Sequence, residues 1–216
     1  MAAAPKIATV RRQWDNAISK SCPIKTGKYL LRDGSNTIPV FLFDIFLNLL
    51  YNFNRKGDDY MNTLYILCGP SGCGKSTWAK QFCTEHPNIS YVSRDSIRFN
   101  IVKDEEDYFS HEKEVFREFV LLISMNLHNN DVVADATHLN EFSRRKLTQA
   151  IDRYITDYQI VYVAFNVKAE VCIARNSTRE GRANVPENII RNMCRDFRMP
   201  SMDEDERTIN IIEVGE

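Results

Sequence analysis

Gly69-Pro70-Ser71-Gly72-Cys73-Gly74-Lys75-Ser76 fits the pattern G-x-x-x-x-G-K-[ST] at every defined position. Such a loop suits a polyphosphate. Its glycines accept tight backbone angles and let the main chain approach an anion closely. Successive N–H groups turn inward around phosphate oxygens, and a helix starting just beyond contributes its positive end. Lys75 would bring a charge to the outer phosphates and Ser76 a hydroxyl to magnesium, with Thr77 next in the same loop-to-helix step. The flanks agree with the motif: apolar TLYILCG at 63–69 precedes it, and KSTWAKQFCTEH at 75–86 can run on as a helix. ATP and Mg2+ are therefore the expected cofactors. ATPases, GTPases and small-molecule kinases share this centre, so the loop speaks for the nucleotide and leaves the acceptor open.

Three further segments carry groups that could act on a phosphoryl transfer. In Ser93-Arg94-Asp95-Ser96-Ile97-Arg98, Asp95 is placed to orient an acceptor hydroxyl and take its proton. Arg98, three residues on, would share its helix face and could pair with a substrate phosphate. The plainer reading of the same residues is an N-capping Asp95 with a solvent-facing Arg98. Asp135 stands where the apolar Val132-Val133-Ala134 run ends, which is the place of a Walker-B-like carboxylate. Three roles are open to it: ordering magnesium-bound water, ligating the metal directly, or holding an active-site arginine. His138 has no metal-ligand companions and reads as structural or substrate-facing. Last, Arg175 and Arg179 lie four apart, and Arg182 follows in a turn with Gly181. Together they could close as a lid and stabilise charge on the moving phosphoryl group. Residues 168–198 carry a local net charge of +3, and Arg191, Arg195 and Arg198 have 4-3 spacing. That stripe is either a solvated face or a contact for a nucleic-acid backbone.

The elements that would hold these groups alternate. Strands are predicted at 63–69, 89–92, 131–134, 159–167 and 208–214, and helices at 75–86, 112–127, 141–155, 169–178 and 186–198. The 112–127 helix shows an apolar stripe of Phe116, Phe119, Ile123 and Leu127. This order predicts an α/β fold of the P-loop NTPase type, a mainly parallel sheet flanked by helices. Residues 61–216 would form that domain. Residues 1–60 read as an N-terminal appendage: a cap, a specificity element or a docking segment for a protein partner. Within it VFLFDIFLNLLYNF at 40–53 predicts an apolar helix. It is short for a membrane span and carries Asp44, Asn48 and Asn52 on one stripe, so no stable membrane association is expected.

Bulk properties narrow the classes. The 216 residues are 44% apolar and 26% charged, with a net charge of -1, which fits one folded domain and gives no overall field toward nucleic acid. Six cysteines lack zinc-site spacing. Cys68 and Cys73 fall in a strand and the phosphate loop, so reduced thiols and a cytoplasmic setting are expected. The first twenty residues contain no continuous apolar run of a leader type.

Taken in order, YILCGPSGCGKSTWAKQF, SRDSIR, DVVADATHLN with Arg144 and Arg145, and ARNSTREGRANVPENIIRNM resemble the 5'-kinase domain of polynucleotide kinases, in particular the phage T4 branch. The resemblance covers roughly residues 62–200. It implies transfer of the γ-phosphoryl group of ATP to a 5'-hydroxyl end of RNA or DNA. It further implies Lys75 and Ser76 as the phosphate and magnesium pair, Asp95 as general base, and Arg98 on the acceptor's nearest phosphate. Asp135 would be the essential aspartate after the third strand. Arg179 would be the clamp on the ATP phosphates, with Arg175 as its companion. The Arg179–Pro186 turn is one residue longer than in that branch, which leaves Arg182 without an implied role. No D-x-D-x-[TV] segment follows the kinase region, so 3'-phosphatase activity is not expected. Two other readings stand beside this one: a P-loop kinase for a small molecule, and a nucleotide-dependent binding module in a nucleic-acid repair assembly. Oligomeric state and the choice between RNA and DNA are not written in these residues.

Overall fold

The computed structural model describes residues 61–103 and 107–215. The appendage, with the helix expected at 40–53, lies outside the described residues. The strands are β1 (Asn62–Cys68), β2 (Ile89–Ser93), β3 (Asp131–Asp135), β4 (Tyr158–Phe165) and β5 (Thr208–Val214). The helices are α1 (Lys75–Glu85), α2 (Arg94–Ile101), α3 (Glu112–Leu127), α4 (Glu141–Ile151), α5 (Ala169–Asn176) and α6 (Glu187–Asp196). Short 3-10 turns occupy Gly181–Ala183 and Met202–Glu204.

The strands form one sheet in the order β2-β3-β1-β4-β5, with every pairing parallel. A parallel sheet covered on both faces needs near-continuous apolar strands. The central strands NTLYILC and YQIVYVAF have that character, whereas the edge strands β2 and β5 are only partly buried. Side chains alternate across the sheet. Leu64, Ile66 and Cys68 pack on one side with Phe119 and Ile123 of α3 and Leu147 and Ile151 of α4. Leu67 faces the other side with Ala79 of α1, Cys172 of α5 and Ile190 of α6. No helix among the described residues is long and apolar enough to cross a membrane.

Three helices end two or more residues before the sequence expectations, each for a local reason. The helix expected at 141–155 stops at Ile151, and Asp152 turns its carboxylate to Tyr158 and Arg207. The helix expected at 169–178 stops at Asn176, whose side chain bonds Asn184 and the Val185 main chain across the following turn. The helix expected at 186–198 spans 187–196, with extended Phe197 ending it. Arg198 is therefore off the helix and donates to the Arg195 and Phe197 carbonyls. Arg191 pairs with Glu187 and Glu170. The three arginines therefore do not share one helix face.

Candidate active site

Three of the predicted segments meet because of the strand order. β3 lies between β1 and β2, and Ser93 is in register with Asp135. The phosphate loop, the Asp95 segment and Asp135 therefore leave the same carboxyl edge side by side, where parallel α/β sheets place their ligands.

The loop from Gly69 to Ser76 joins β1 to α1. Gly72 and Gly74 have φ of 84° and 107°, in the region that favours glycine. Gly72 also lies against the main chain of α5, where an added Cβ would run into the Cys172 carbonyl. The Gly69 N–H is held by the Thr137 carbonyl at 2.8 Å. Lys75 is buried, and its ammonium donates to the Gly69 and Pro70 carbonyls at 2.9 and 2.6 Å. Cys73 packs into the core beneath the loop.

Ser76 donates its hydroxyl to Asp135 Oδ2 at 2.6 Å, and Tyr91 donates to the same oxygen at 2.6 Å. Burial and the neighbouring Asp135 charge push the Tyr91 phenol well above its ordinary range, so it stays a donor at neutral pH. A serine hydroxyl beside a carboxylate is an all-oxygen pair of the kind that suits Mg2+, which takes one or two protein oxygens together with phosphates and water. Among the described residues the side-chain donors to Asp135 are Ser76 and Tyr91. Sequence reasoning passed over Tyr91 because it reads as an ordinary strand residue; only the register of β2 on β3 makes it a partner of Asp135.

Beside this pair, α2 begins on an N-cap made by Ser93, whose hydroxyl accepts from the Ser96 N–H. The plainer reading of SRDSIR therefore fails at both ends: Ser93 caps, and Arg98 is buried with a side chain 7% exposed. Asp95 is open, with a side chain 69% exposed. Arg98 donates to Asp95 at 2.8 Å, to Glu112 of α3 at 2.6 Å and to the Tyr108 hydroxyl at 3.3 Å. Burial lowers the Arg98 pKa, but its bonds to Glu112 and Tyr108 outweigh that, and the net direction is upward. Glu112 also pairs with Arg94, so one carboxylate grips both arginines. The Nε atoms of Arg94 and Arg98 are buried and find no hydrogen-bond partner among the described residues. Neither Glu112 nor Tyr108 left a sequence signal, since each is read as part of a helix start or a turn.

The predicted lid arginines have three different positions. Because α5 ends at Asn176, Arg175 and Arg179 do not share a helix face. Arg175 donates to the Cys73 carbonyl at 3.2 Å, and Arg179 reaches the Ser71 hydroxyl at 3.2 Å. Arg182 instead bridges to the Val102 and Lys103 carbonyls at the end of α2. His138 is buried with φ of 38°, and its Nδ1 lies 2.9 Å from the Leu67 carbonyl, so it is structural. Arg144 is fully buried, fork to fork with Glu204 at 2.6 and 2.7 Å and bonded to the His138 and Arg198 carbonyls. Arg145 pairs on the surface with Glu141.

A cavity of about 590 Å³ joins these groups; Lys75, Ser76, Asp95, Arg98, Asp135 and Arg179 all line it. No cluster of three or more His, Cys, Asp or Glu suited to a metal occurs among the described residues.

The AAA_33 family model, described as an AAA domain, matches residues 64–200. Among solved structures, a chain of the Pnkp1/Rnl/Hen1 RNA repair complex is 22% identical, with a TM-score of 0.57, over 66% of this chain and 46% of that one. A fungal RNA kinase is 15% identical, with a TM-score of 0.51, over 71% of this chain and 38% of its own. A sugar kinase from Janibacter sp. HTCC2649 is 15% identical, with a TM-score of 0.50, over 72% of this chain and 86% of its own. The chain thus spans less than half of the two RNA-related chains. At these identities the likeness is one of fold: a P-loop kinase-like domain.

Proposed function

The chain belongs to the AAA domain family (AAA_33), and within that family we propose that it is a 5'-hydroxyl polynucleotide kinase that moves the γ-phosphoryl group of ATP to the 5' end of RNA or DNA. The observation that carries this reading is the Asp95–Arg98 pair in the same cavity as Lys75, Ser76, Asp135 and Arg179. An exposed carboxylate beside a buried guanidinium suits an acceptor with a hydroxyl close to a phosphate. The 5'-terminal nucleotide of a polynucleotide has that form, with its 5'-hydroxyl and 3'-phosphate on one ribose. Arg98 lines the same cavity and bonds Asp95 at 2.8 Å, so a cation for such a phosphate sits beside the carboxylate. Two neighbours in fold, a chain of an RNA repair complex and an RNA kinase, point the same way.

On this reading the phosphate loop and Arg175 hold ATP. Lys75 exchanges its two carbonyl partners for the outer phosphates. Ser76 and Asp135 are the residues that would hold Mg2+, which neutralises charge on the β- and γ-oxygens when bound. Asp95 accepts the proton of the 5'-hydroxyl as its oxygen bonds to the γ-phosphorus and the bond to the β–γ bridging oxygen breaks. Arg179, at the Ser71 edge of the loop, stabilises charge on the moving group.

A small-molecule kinase is the second reading, favoured by the sugar kinase whose chain is matched over 86% of its length. A labelled-ATP assay separates the two. Its acceptors are 5'-hydroxyl RNA, 5'-hydroxyl DNA, a 3'-phosphorylated nucleoside, and a set of sugars and sugar acids. Label on oligonucleotide 5' ends, reduced strongly by Asp95→Asn, is expected. Label on sugars with none on oligonucleotides would overturn the proposal.

A further inference from the structure

We propose that Phe109, backed by Tyr108 and Phe99, is a stacking surface for the base of the acceptor's 5'-terminal nucleotide; this rests on the polynucleotide reading above. Three aromatic rings meet here, and two of them, Tyr108 and Phe109, line the cavity. Phe109 is 64% exposed and Phe99 43% exposed. Tyr108 lies between them, its ring centroid 5.0 Å from Phe109 at 90° and 6.2 Å from Phe99 at 63°. Scattered exposed aromatics are unremarkable, but a cluster in mutual contact beside a polar cavity marks a place where something apolar and flat is received.

The cluster is tied to the acceptor groups and not to the nucleotide loop. The Tyr108 hydroxyl donates to Asp95 at 3.2 Å and accepts from Arg98. The Arg98 guanidinium lies 4.7 Å from the Tyr108 ring centre and 5.5 Å from that of Phe109. Phe109 is also held in place: its N–H bonds the Asp107 carboxylate at 2.9 Å and its carbonyl accepts from Glu112, the first residue of α3. With its main chain held this way and its ring against Tyr108, Phe109 loses little freedom when a partner stacks on it.

Sugar geometry then specifies the occupant. A ribose carries the 5'-hydroxyl, the 3'-oxygen and the base on one five-membered ring. Placing the hydroxyl at Asp95 and the 3'-phosphate at Arg98 leaves the base within one sugar's width of both, where the rings of Tyr108 and Phe109 lie. Every base has a π-face, so such a surface accepts any terminal base while rejecting acceptors that have none.

The test uses two 5'-hydroxyl oligonucleotides of one sequence, one with a normal 5'-terminal nucleotide and one with that nucleotide abasic. KM and kcat are measured on the full chain as wild type, Phe109→Ala and Phe109→Trp. Wild type should show a KM about five- to tenfold higher for the abasic acceptor, toward the lower end of what loss of one base–aromatic stack costs. Phe109→Ala should collapse that difference by raising the KM of the normal acceptor alone, and Phe109→Trp should restore it. The exposure of Phe109 makes folding of the variants a mild demand, checked by thermal melting. Equal loss on both acceptors would mean that the ring serves packing, and a raised KM for ATP alone that it serves the donor; either overturns the platform and leaves the kinase reading intact. If wild type labels neither oligonucleotide, the polynucleotide reading falls and takes the platform with it.

Discussion

Two residues of the site yield predictions that separate chemistry from packing. Asp135 receives both Ser76 and Tyr91 on one oxygen. Asp135→Asn keeps the shape but removes the charge that would hold Mg2+, so transfer should fall about 10–100-fold and higher Mg2+ should recover part of it. Tyr91→Phe removes a neutral donor only, and should cost about fivefold. Transfer rates across a magnesium series check both. His138 makes a different claim. Burial pulls its imidazole down to about 3 from an ordinary 6.5. The unfolded chain therefore binds a proton below pH 6.5 that the folded chain refuses until near pH 3, and His138 removes stability as pH falls through that window. Between pH 6.5 and 5 the loss is roughly 1–2 kcal/mol. His138→Asn suits a φ of 38°, since asparagine tolerates the left-handed region, and its amide can still donate to the Leu67 carbonyl. Denaturant midpoints at pH 7 and pH 5 should differ less in this variant than in wild type. His138 was open to two readings in the sequence, because nothing local says that a loop histidine will be covered; Phe119, stacked 6.2 Å from its ring, is 19 positions away.

At the scale of elements, the strand–loop–helix around Gly69–Ser76 was legible in the sequence because all its determinants are contiguous. The β1 run, the glycines and the α1 start need no distant partner. α3 was equally legible, since Phe119, Ile123 and Leu127 at helical spacing mark the buried face of this 16-residue helix. Helix ends were less so. α5 stops where Asn176 finds Asn184 and Val185, contacts that no periodicity announces, and so the shared face of Arg175 and Arg179 was misjudged. The contact of the phosphate loop with α5 was likewise invisible, although it makes Gly72 doubly constrained by φ and by the Cys172 carbonyl. Gly72→Ala should push the loop from the helix that carries Arg175. The expected result is at least about tenfold weaker ATP binding, with a loss of stability of roughly 1–3 kcal/mol. Calorimetric ATP titration beside a denaturant melt checks it, and a variant that binds ATP normally would show that the loop can yield without cost.

Over the whole molecule, the P-loop α/β class followed from the alternation of elements, while the ties that close it did not. Arg144 could be quoted from the sequence as part of a family pattern, yet its place is a fully buried fork on Glu204, 60 residues on, in the acidic run Asp203–Glu206. Opposite charges that far apart have no pattern to betray them. Removing one partner of such a pair is expensive because the other stays buried and charged. Glu204→Ala should therefore destabilise the domain by about 3–5 kcal/mol, whereas Glu141→Ala, whose Arg145 partner is exposed, should cost under about 1 kcal/mol. Urea unfolding of the two variants compares them directly. The strand order has one more consequence, felt during synthesis. β1 is the central strand, with β3 on one edge and β4 on the other. A growing chain releases β1 early and β4 only after roughly a hundred further residues, about 5–20 s at ordinary elongation rates. For that interval the most apolar strand pair of the sheet is half made, with a bare edge able to recruit another nascent chain. Ribosome traffic on this message, and not only the finished protein's stability, then governs how much of it reaches the folded state.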